Sequence, residues 1–132
     1  MSADMNQLDP RLYKLAYEFL DHCHSAGLEC RITQTWRSAA DQNKAKAAGL
    51  SKAEAGQSPH NVVDADGLPC SRAFDFGMYI GGKYITDGTN KAYGKAGEIA
   101  ENLGLEWGGT WHTPDFDHVQ LPRWRDGAHG II

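Results

Sequence analysis

The chain has few cysteines, no long apolar run and no basic stretch, and each absence excludes a class of protein. Its three cysteines show no Cys-x-x-Cys spacing and cannot all pair within the chain, so cysteine chemistry is not expected. No apolar segment approaches the roughly 20 residues that a membrane-spanning helix requires. The net charge is -4, without the basic stripe typical of nucleic-acid-binding proteins. We therefore expect neither membrane insertion nor a nucleic-acid partner.

The N-terminus lacks the pattern of an export signal. It has no basic region followed by an apolar run, so no signal peptide is predicted and synthesis in the cytoplasm is expected. At 132 residues, of which 41% are hydrophobic and 23% charged, the chain fits a single domain, 1–132, with one core. We expect this domain to be a monomer.

The spacing of apolar residues predicts an α+β domain with an antiparallel sheet flanked by helices. Helices are predicted from the Asp9–Pro10 cap to Gly27, from Ser38 to Gly49, and from about Asn90 to Leu103. Strands are predicted over residues 28–37, in a hairpin with strands at 73–80 and 84–86, and over 116–121. Residues 50–70 are predicted to form a long loop, and residues 105–111 a turn-rich aromatic loop. No alternation of parallel strands with helices is present, which favours the α+β class.

Asp75 stands in the middle of an otherwise apolar strand. Alternation directs Asp75 and Tyr79 to one face of residues 73–80, and Phe74 and Phe76 to the other. A buried carboxylate without a partner is costly, so Asp75 requires a cation, a metal or solvent. The alternative is a half-exposed strand with Asp75 on its solvent-facing side.

Two histidines and a second aspartate can combine with Asp75 into a metal centre. His60 lies in the long loop, and Asp115 precedes His118 by three residues at a loop-to-strand junction. A lone loop histidine is more often a surface residue. Taken together, the four residues supply the three His and Asp ligands typical of catalytic zinc and a spare carboxylate for general base catalysis.

The order of the motifs resembles a known peptidase family. The motifs span residues 32–121 and read TQTWRSAADQ, SPHN, DADGLPCSRAFDF, LGLEWGGTW and DFDHVQL. They are similar to the successive motifs of the D-alanyl-D-alanine carboxypeptidases and L-alanyl-D-glutamate endopeptidases, especially the short phage-lysin members. This resemblance implies one zinc ion per chain and a fold shared with lysostaphin-type and Hedgehog-type domains.

The resemblance also implies roles for individual residues. His60, Asp75 and His118 match the zinc ligands, Asp115 matches the catalytic acid and base, and Arg37 matches an arginine that steadies the substrate or the developing oxyanion. Gln42 matches a glutamine that buttresses the region of the arginine. The expected substrate-binding residues are Gln42, Ser58, Trp111, which lies close to the motifs, and Tyr79, which shares the face of Asp75.

Two positions depart from the pattern or have rivals. Compact family members keep the first histidine and the aspartate closer together than the 15 positions between His60 and Asp75. Asp64 and Asp66 lie in the intervening segment and are the alternative ligands. Asp117 is the rival base, but strand alternation is expected to place it on the face opposite His118.

The implied function is a zinc-dependent peptidoglycan hydrolase that cleaves the L-alanyl-D-glutamate bond of stem peptides. The close alternative is a D-alanyl-D-alanine carboxypeptidase. A non-catalytic, zinc-containing wall-binding module is disfavoured because Asp115 and Arg37 are both present. A magnesium nuclease has only Asp64 and Asp66 in its favour. The enzyme is expected to reach the cell wall after release from the cytoplasm or by a dedicated export route.

Overall fold

The main elements of residues 2–128, the part of the chain that our computed structural model describes, are three α-helices and an antiparallel sheet of five strands. The elements are α1 (Pro10–Ser25), β1 (Glu29–Gln34), α2 (Ala39–Ala47), β2 (Ala73–Ile80), β3 (Lys83–Tyr84), α3 (Lys91–Asn102), β4 (Glu106–Trp107) and β5 (His118–Gln120). The predicted α+β class is confirmed. None of the helices in residues 2–128 is both long enough and apolar enough to cross a membrane.

The helices begin where the sequence carries capping residues. The Asp9 side chain accepts from the backbone N–H of Arg11 at the start of α1, where Pro10 occupies the first turn. Ser38 caps α2 by accepting from the N–H of Asp41. Local hydrogen bonding of this kind is encoded over a few residues, so it is visible in the sequence.

Strand β2 lies at the centre of the sheet. The strand order is β1-β2-β5-β4, and β3 pairs with the far end of β2 in a hairpin. Asp75 of β2 lies opposite Gln34 of β1 on one side and opposite His118 of β5 on the other. Directly opposed residues of antiparallel strands have side chains about 5 Å apart, so this register brings Asp75 and His118 together.

One face of the sheet forms the hydrophobic core. Phe74, Phe76 and Met78 of β2 are fully buried on this face, as the alternation predicted, and Phe19 of α1 contacts both phenylalanine rings. Ile80 continues the same alternation but is 64% exposed, because it lies at the hairpin turn. The helices α1 and α3 cover the apolar face, which leaves the face that carries Asp75 for loops and a cleft.

Two short strands differ from the sequence prediction. Residues 105–111 were predicted to be a loop, but Glu106–Trp107 form β4 and pair with β5. The second hairpin strand is Lys83–Tyr84 instead of residues 84–86. A strand of two residues is too short to show alternation, so it can be identified only through its pairing partner.

Candidate metal centre

Three side chains converge at the polar face of the sheet, and each comes from a different element. His60 lies in a short 3-10 turn, Pro59–Asn61, of the long loop, Asp75 in the middle of β2, and His118 at the start of β5. One ligand atom from each lies within 4.8 Å of the others. His60 Nε2 and His118 Nδ1 are each 3.2 Å from Asp75 Oδ1.

The turn around His60 fixes the orientation of its ring. Ser58 caps the turn by accepting from the N–H of His60, while Asn61 Oδ1 accepts from the N–H of Ser58. His60 Nδ1 lies 2.6 Å from the carbonyl oxygen of Thr35. A carbonyl oxygen can only accept, so Nδ1 carries a proton and Nε2 is the ring nitrogen directed at Asp75.

His118 is oriented by a chain of polar side chains on β5 and β4. Gln120 Nε2 donates to Glu106 Oε2 at 2.7 Å, which turns the oxygen of the Gln120 amide toward His118. His118 Nε2 therefore donates to Gln120 Oε1 at 2.8 Å, and Nδ1 is the ring nitrogen directed at Asp75. Support of this kind fixes the tautomer and ring orientation of metal-ligating histidines.

The convergent atoms fit a divalent metal ion. When both rings are neutral and carry their proton on the outer nitrogen, two imidazole lone pairs and a carboxylate oxygen face one another, and a cation between them would relieve their repulsion. The 3.2 Å separations also match the roughly 3.3 Å between neighbouring ligands of a tetrahedral ion with bonds of about 2.0 Å. Two histidines and one aspartate leave the fourth position open, as in catalytic zinc sites.

The electrostatics of the centre also favour a cation. Burial alone would raise the pKa of Asp75, but the charges and hydrogen bonds of His60 and His118 hold it well below its usual range. Burial lowers the pKa of His118, yet the hydrogen bond and charge of Asp75 and the charge of Asp115 outweigh it, so the pKa is raised. The site thus stabilises positive charge at the point where the three ligand atoms meet.

We predict that Gln120→Ala weakens metal binding by roughly ten- to a hundredfold, because His118 loses the acceptor that fixes its tautomer. The measurement is the metal affinity of the purified protein in competition with a chromophoric chelator. Gln57→Ala is a matched control, since the Gln57 amide accepts from the N–H of Glu54 and takes no part in the hydrogen bonds of the two histidines. An affinity of Gln120→Ala equal to that of the wild type would contradict the supporting role.

Two further carboxylates line the same cleft as the three candidate ligands. Asp115 Oδ2 lies 4.0 Å from His118 Nδ1, and the Asp115 side chain is 50% exposed. Asp117 is half-buried, and burial together with the charges of Asp75 and Asp115 raises its pKa to about 8. The expectation that Asp117 faces away from the site is wrong, because Asp117 lies in the turn before β5, where strand alternation does not apply.

Arg37 is almost fully buried, and its guanidinium group faces the Asp75 carboxylate. Its guanidinium donates to Gln34 Oε1 at 2.6 Å and to Gln42 Oε1 at 2.7 Å, and lies 3.8 Å from Asp75 Oδ2. Gln42 is fully buried, and its amide nitrogen donates to Ser51 Oγ and the carbonyl of Ala53. The prediction that Gln42 contacts the substrate is therefore wrong, and its contacts are those of a residue that braces Arg37.

Of the three remaining predicted substrate residues, two line the cleft and one does not. Trp111 and Ser58 line the cleft, and the Trp111 ring centre is 5.2 Å from that of His118. Tyr79 does not line it: the ring packs against Tyr84 with Arg31 over its face, so the predicted substrate contact is wrong. Alternation gave the correct face, but Tyr79 lies four residues, roughly 13 Å, along the strand from Asp75.

The alternative ligands Asp64 and Asp66 lie outside the cluster of ligand atoms. Asp64 Oδ1 accepts from the N–H groups of Asp66 and Leu68 in a local turn. This hydrogen bonding accounts for Asp64 without a metal, so the geometry favours Asp75 over both.

The cleft has a volume of about 750 Å³, and two loop segments contribute to its lining besides the metal centre. The first segment, residues 49–53, follows α2, and the second, residues 111–115, precedes β5. Lys52 and Gln120 were missed from the sequence. Strand alternation could have identified Gln120, which lies two residues after His118 and so shares its face, whereas Lys52 lies in a loop without any pattern.

Comparison with known proteins places this arrangement in a family. A model of the family described as D-alanyl-D-alanine carboxypeptidase matches residues 29–121. The crystal structure of Serratia marcescens L-Ala D-Glu endopeptidase ChiX is similar with a TM-score of 0.69 and 23% identity, covering 92% of this chain and 85% of that one, which shows a shared fold. No curated protein matches the chain. Because the family match spans well over half of the chain and all the candidate ligands, this protein belongs to the D-alanyl-D-alanine carboxypeptidase family of peptidases.

Proposed function

We propose that this chain is a zinc-dependent peptidase that cleaves the L-alanyl-D-glutamate bond in the stem peptides of peptidoglycan. The observation that carries the proposal is the convergence of His60, Asp75 and His118, with Asp115 beside them, in an open cleft. Membership of the family supports peptidase activity. The choice of bond is supported by the structural likeness to a protein described as an L-Ala D-Glu endopeptidase.

The chemistry divides between the metal and the side chains of the cleft. His60, Asp75 and His118 would hold the zinc ion, which would supply a Lewis acid able to polarise the scissile carbonyl and make bound water more acidic. Asp115 takes a proton from the attacking water and delivers it to the leaving amine. Arg37 lines the same cleft, and its fixed positive charge favours the negative charge that develops on the carbonyl oxygen.

A D-alanyl-D-alanine carboxypeptidase is the second candidate, and the description of the matching family favours it. The two activities share the proposed metal centre and general base, and differ in which bond of the stem peptide is presented to them. Both place the site of action at the cell wall.

Digestion of defined muropeptides by the zinc-loaded protein, with products identified by mass spectrometry, separates these candidates. We expect free peptides that begin at D-glutamate. Loss of a terminal D-alanine alone would keep the chemistry and move the enzyme to the carboxypeptidase activity. Absence of any cleavage by folded, zinc-loaded protein would overturn both and favour a wall-binding module.

A further inference from the structure

The charges that line the cleft are unevenly distributed. Asp75, Asp115 and Asp117 contribute three carboxyl groups, and the cationic side chains of the lining, apart from histidine, are Arg37 and Lys52. Arg37 is 7% exposed and its guanidinium faces Asp75 and two glutamine oxygens. Lys52 is exposed, so its ammonium group can form a direct ion pair with an entering ligand.

The Lys52 ammonium group has a neutral partner. Its Nζ donates to Thr113 Oγ1 at 3.3 Å, which joins the two loop segments of the cleft. None of the ion pairs found among residues 2–128 includes Lys52. A hydroxyl group does not neutralise an ammonium ion, and an anion entering the cleft can replace it as a stronger partner.

The backbone on both sides of Lys52 is tied to the candidate active site. The amide nitrogen of Gln42 donates to Ser51 Oγ at 3.0 Å and to the carbonyl of Ala53 at 2.6 Å. The oxygen of the same amide accepts from Arg37, which lies 3.8 Å from Asp75. One fully buried side chain thus connects the backbone on either side of Lys52 to Arg37, which fixes the position of Lys52 in the lining of the same cleft.

The substrates of the proposed function carry an anion at a defined place. In a stem peptide that continues through the side-chain carboxyl of D-glutamate, the carbon bearing the scissile nitrogen also bears a free carboxylate. In a terminal D-alanyl-D-alanine peptide, the corresponding carbon bears the C-terminal carboxylate. In both cases this anion must enter a cleft whose lining carries three carboxyl groups, and an exposed cation outside the metal centre compensates for the loss of its hydration.

Resting on the proposed function, we propose that Lys52 binds the carboxylate on the carbon that carries the leaving amine. Lys52 would then select peptides in which this carboxyl group is free over those in which it is amidated. A charge-assisted hydrogen bond of this kind corresponds to a preference of about tenfold or more in affinity.

The test compares pairs of peptides that differ only in this carboxyl group. One pair is a stem peptide with D-glutamate and its α-amidated form, and the other is a peptide ending in D-alanyl-D-alanine and its C-terminal amide. For the wild type we expect kcat/KM to favour the free carboxylate about tenfold, mainly through KM. Lys52→Met should remove the preference and Lys52→Arg should retain it, and the pair that shows the effect identifies the source of the carboxylate.

Lys46→Met is the matched control, because Lys46 is an exposed lysine of the same region that pairs with Glu54 and does not line the cleft. It should keep the wild-type preference. An unchanged preference in Lys52→Met, with cleavage intact, would overturn the role of Lys52 and leave the proposed function standing.

Calorimetric binding of the same peptides gives a readout that does not depend on turnover. Tighter binding of the free carboxylate by the wild type than by Lys52→Met supports the inference even if no bond is cleaved. Equal binding of the paired peptides by the wild type overturns it.

Discussion

Asp115→Asn is expected to lower turnover of a stem peptide by roughly a hundredfold to ten-thousandfold while the protein still binds one zinc ion. The Asp115 carboxylate is half exposed to the cleft, lies 4.0 Å from His118 Nδ1, and is not one of the three convergent ligand atoms. The substitution removes the proton acceptor and keeps the size of the side chain. Single-turnover kinetics and elemental analysis of the same preparation measure the two effects separately.

Asp117→Asn is the companion variant, because Asp117 lines the same cleft and is the other candidate base. We expect a smaller loss of turnover than for Asp115→Asn. The reverse order would transfer the general base role to Asp117. Near-normal turnover in both variants would remove carboxylate base catalysis from the proposed mechanism.

His60→Ala is expected to lose both the zinc ion and all measurable hydrolysis. His60 supplies one of three ligand atoms and is 2% exposed, so no neighbouring water-facing group replaces it without rearrangement of the turn. Zinc content by elemental analysis and the thermal midpoint with and without added zinc should both show the loss, since a ligand that binds the folded state stabilises it.

His22→Ala provides the control for His60→Ala, because His22 is an exposed histidine of α1 and does not belong to the cluster of ligand atoms. It should retain zinc, the zinc-dependent rise in thermal midpoint and hydrolysis. A His60→Ala protein that keeps a full equivalent of zinc would remove His60 from the ligand set.

The sequence carried the local part of the fold and of the candidate site. Helix caps such as Asp9 and Ser38, and the alternation around Asp75, depend on neighbours within a few residues, so they could be predicted. The pairing of Asp75 with His118 depends on the register between β2 and β5, which are far apart in the chain. That register could be anticipated only through the family resemblance of the motifs.

The errors have a common physical origin, because a local pattern gives the direction of a side chain but not its distance or burial. Tyr79 shares the face of Asp75 but lies too far along β2 to reach the cleft. Gln42 is polar and lies on the short helix α2, yet it is fully buried. Its amide contacts Arg37 on one side and the loop at residues 51–53 on the other. Lys52, in contrast, lines the cleft but was not predicted to do so. Its position depends on hydrogen bonds between α2 and the loop at residues 51–53, and the sequence periodicity does not reveal these bonds.

The central claim, zinc-dependent hydrolysis of stem peptides in this cleft, is tested most directly by removing and restoring the metal. The protein is stripped with a chelator, zinc is added back in steps, and cleavage of a defined muropeptide is followed by mass spectrometry. Activity should be absent from the stripped protein and return in full near one equivalent of zinc per chain, with peptides beginning at D-glutamate as products. Undiminished cleavage by metal-free protein, or no cleavage after zinc is restored, would contradict the claim.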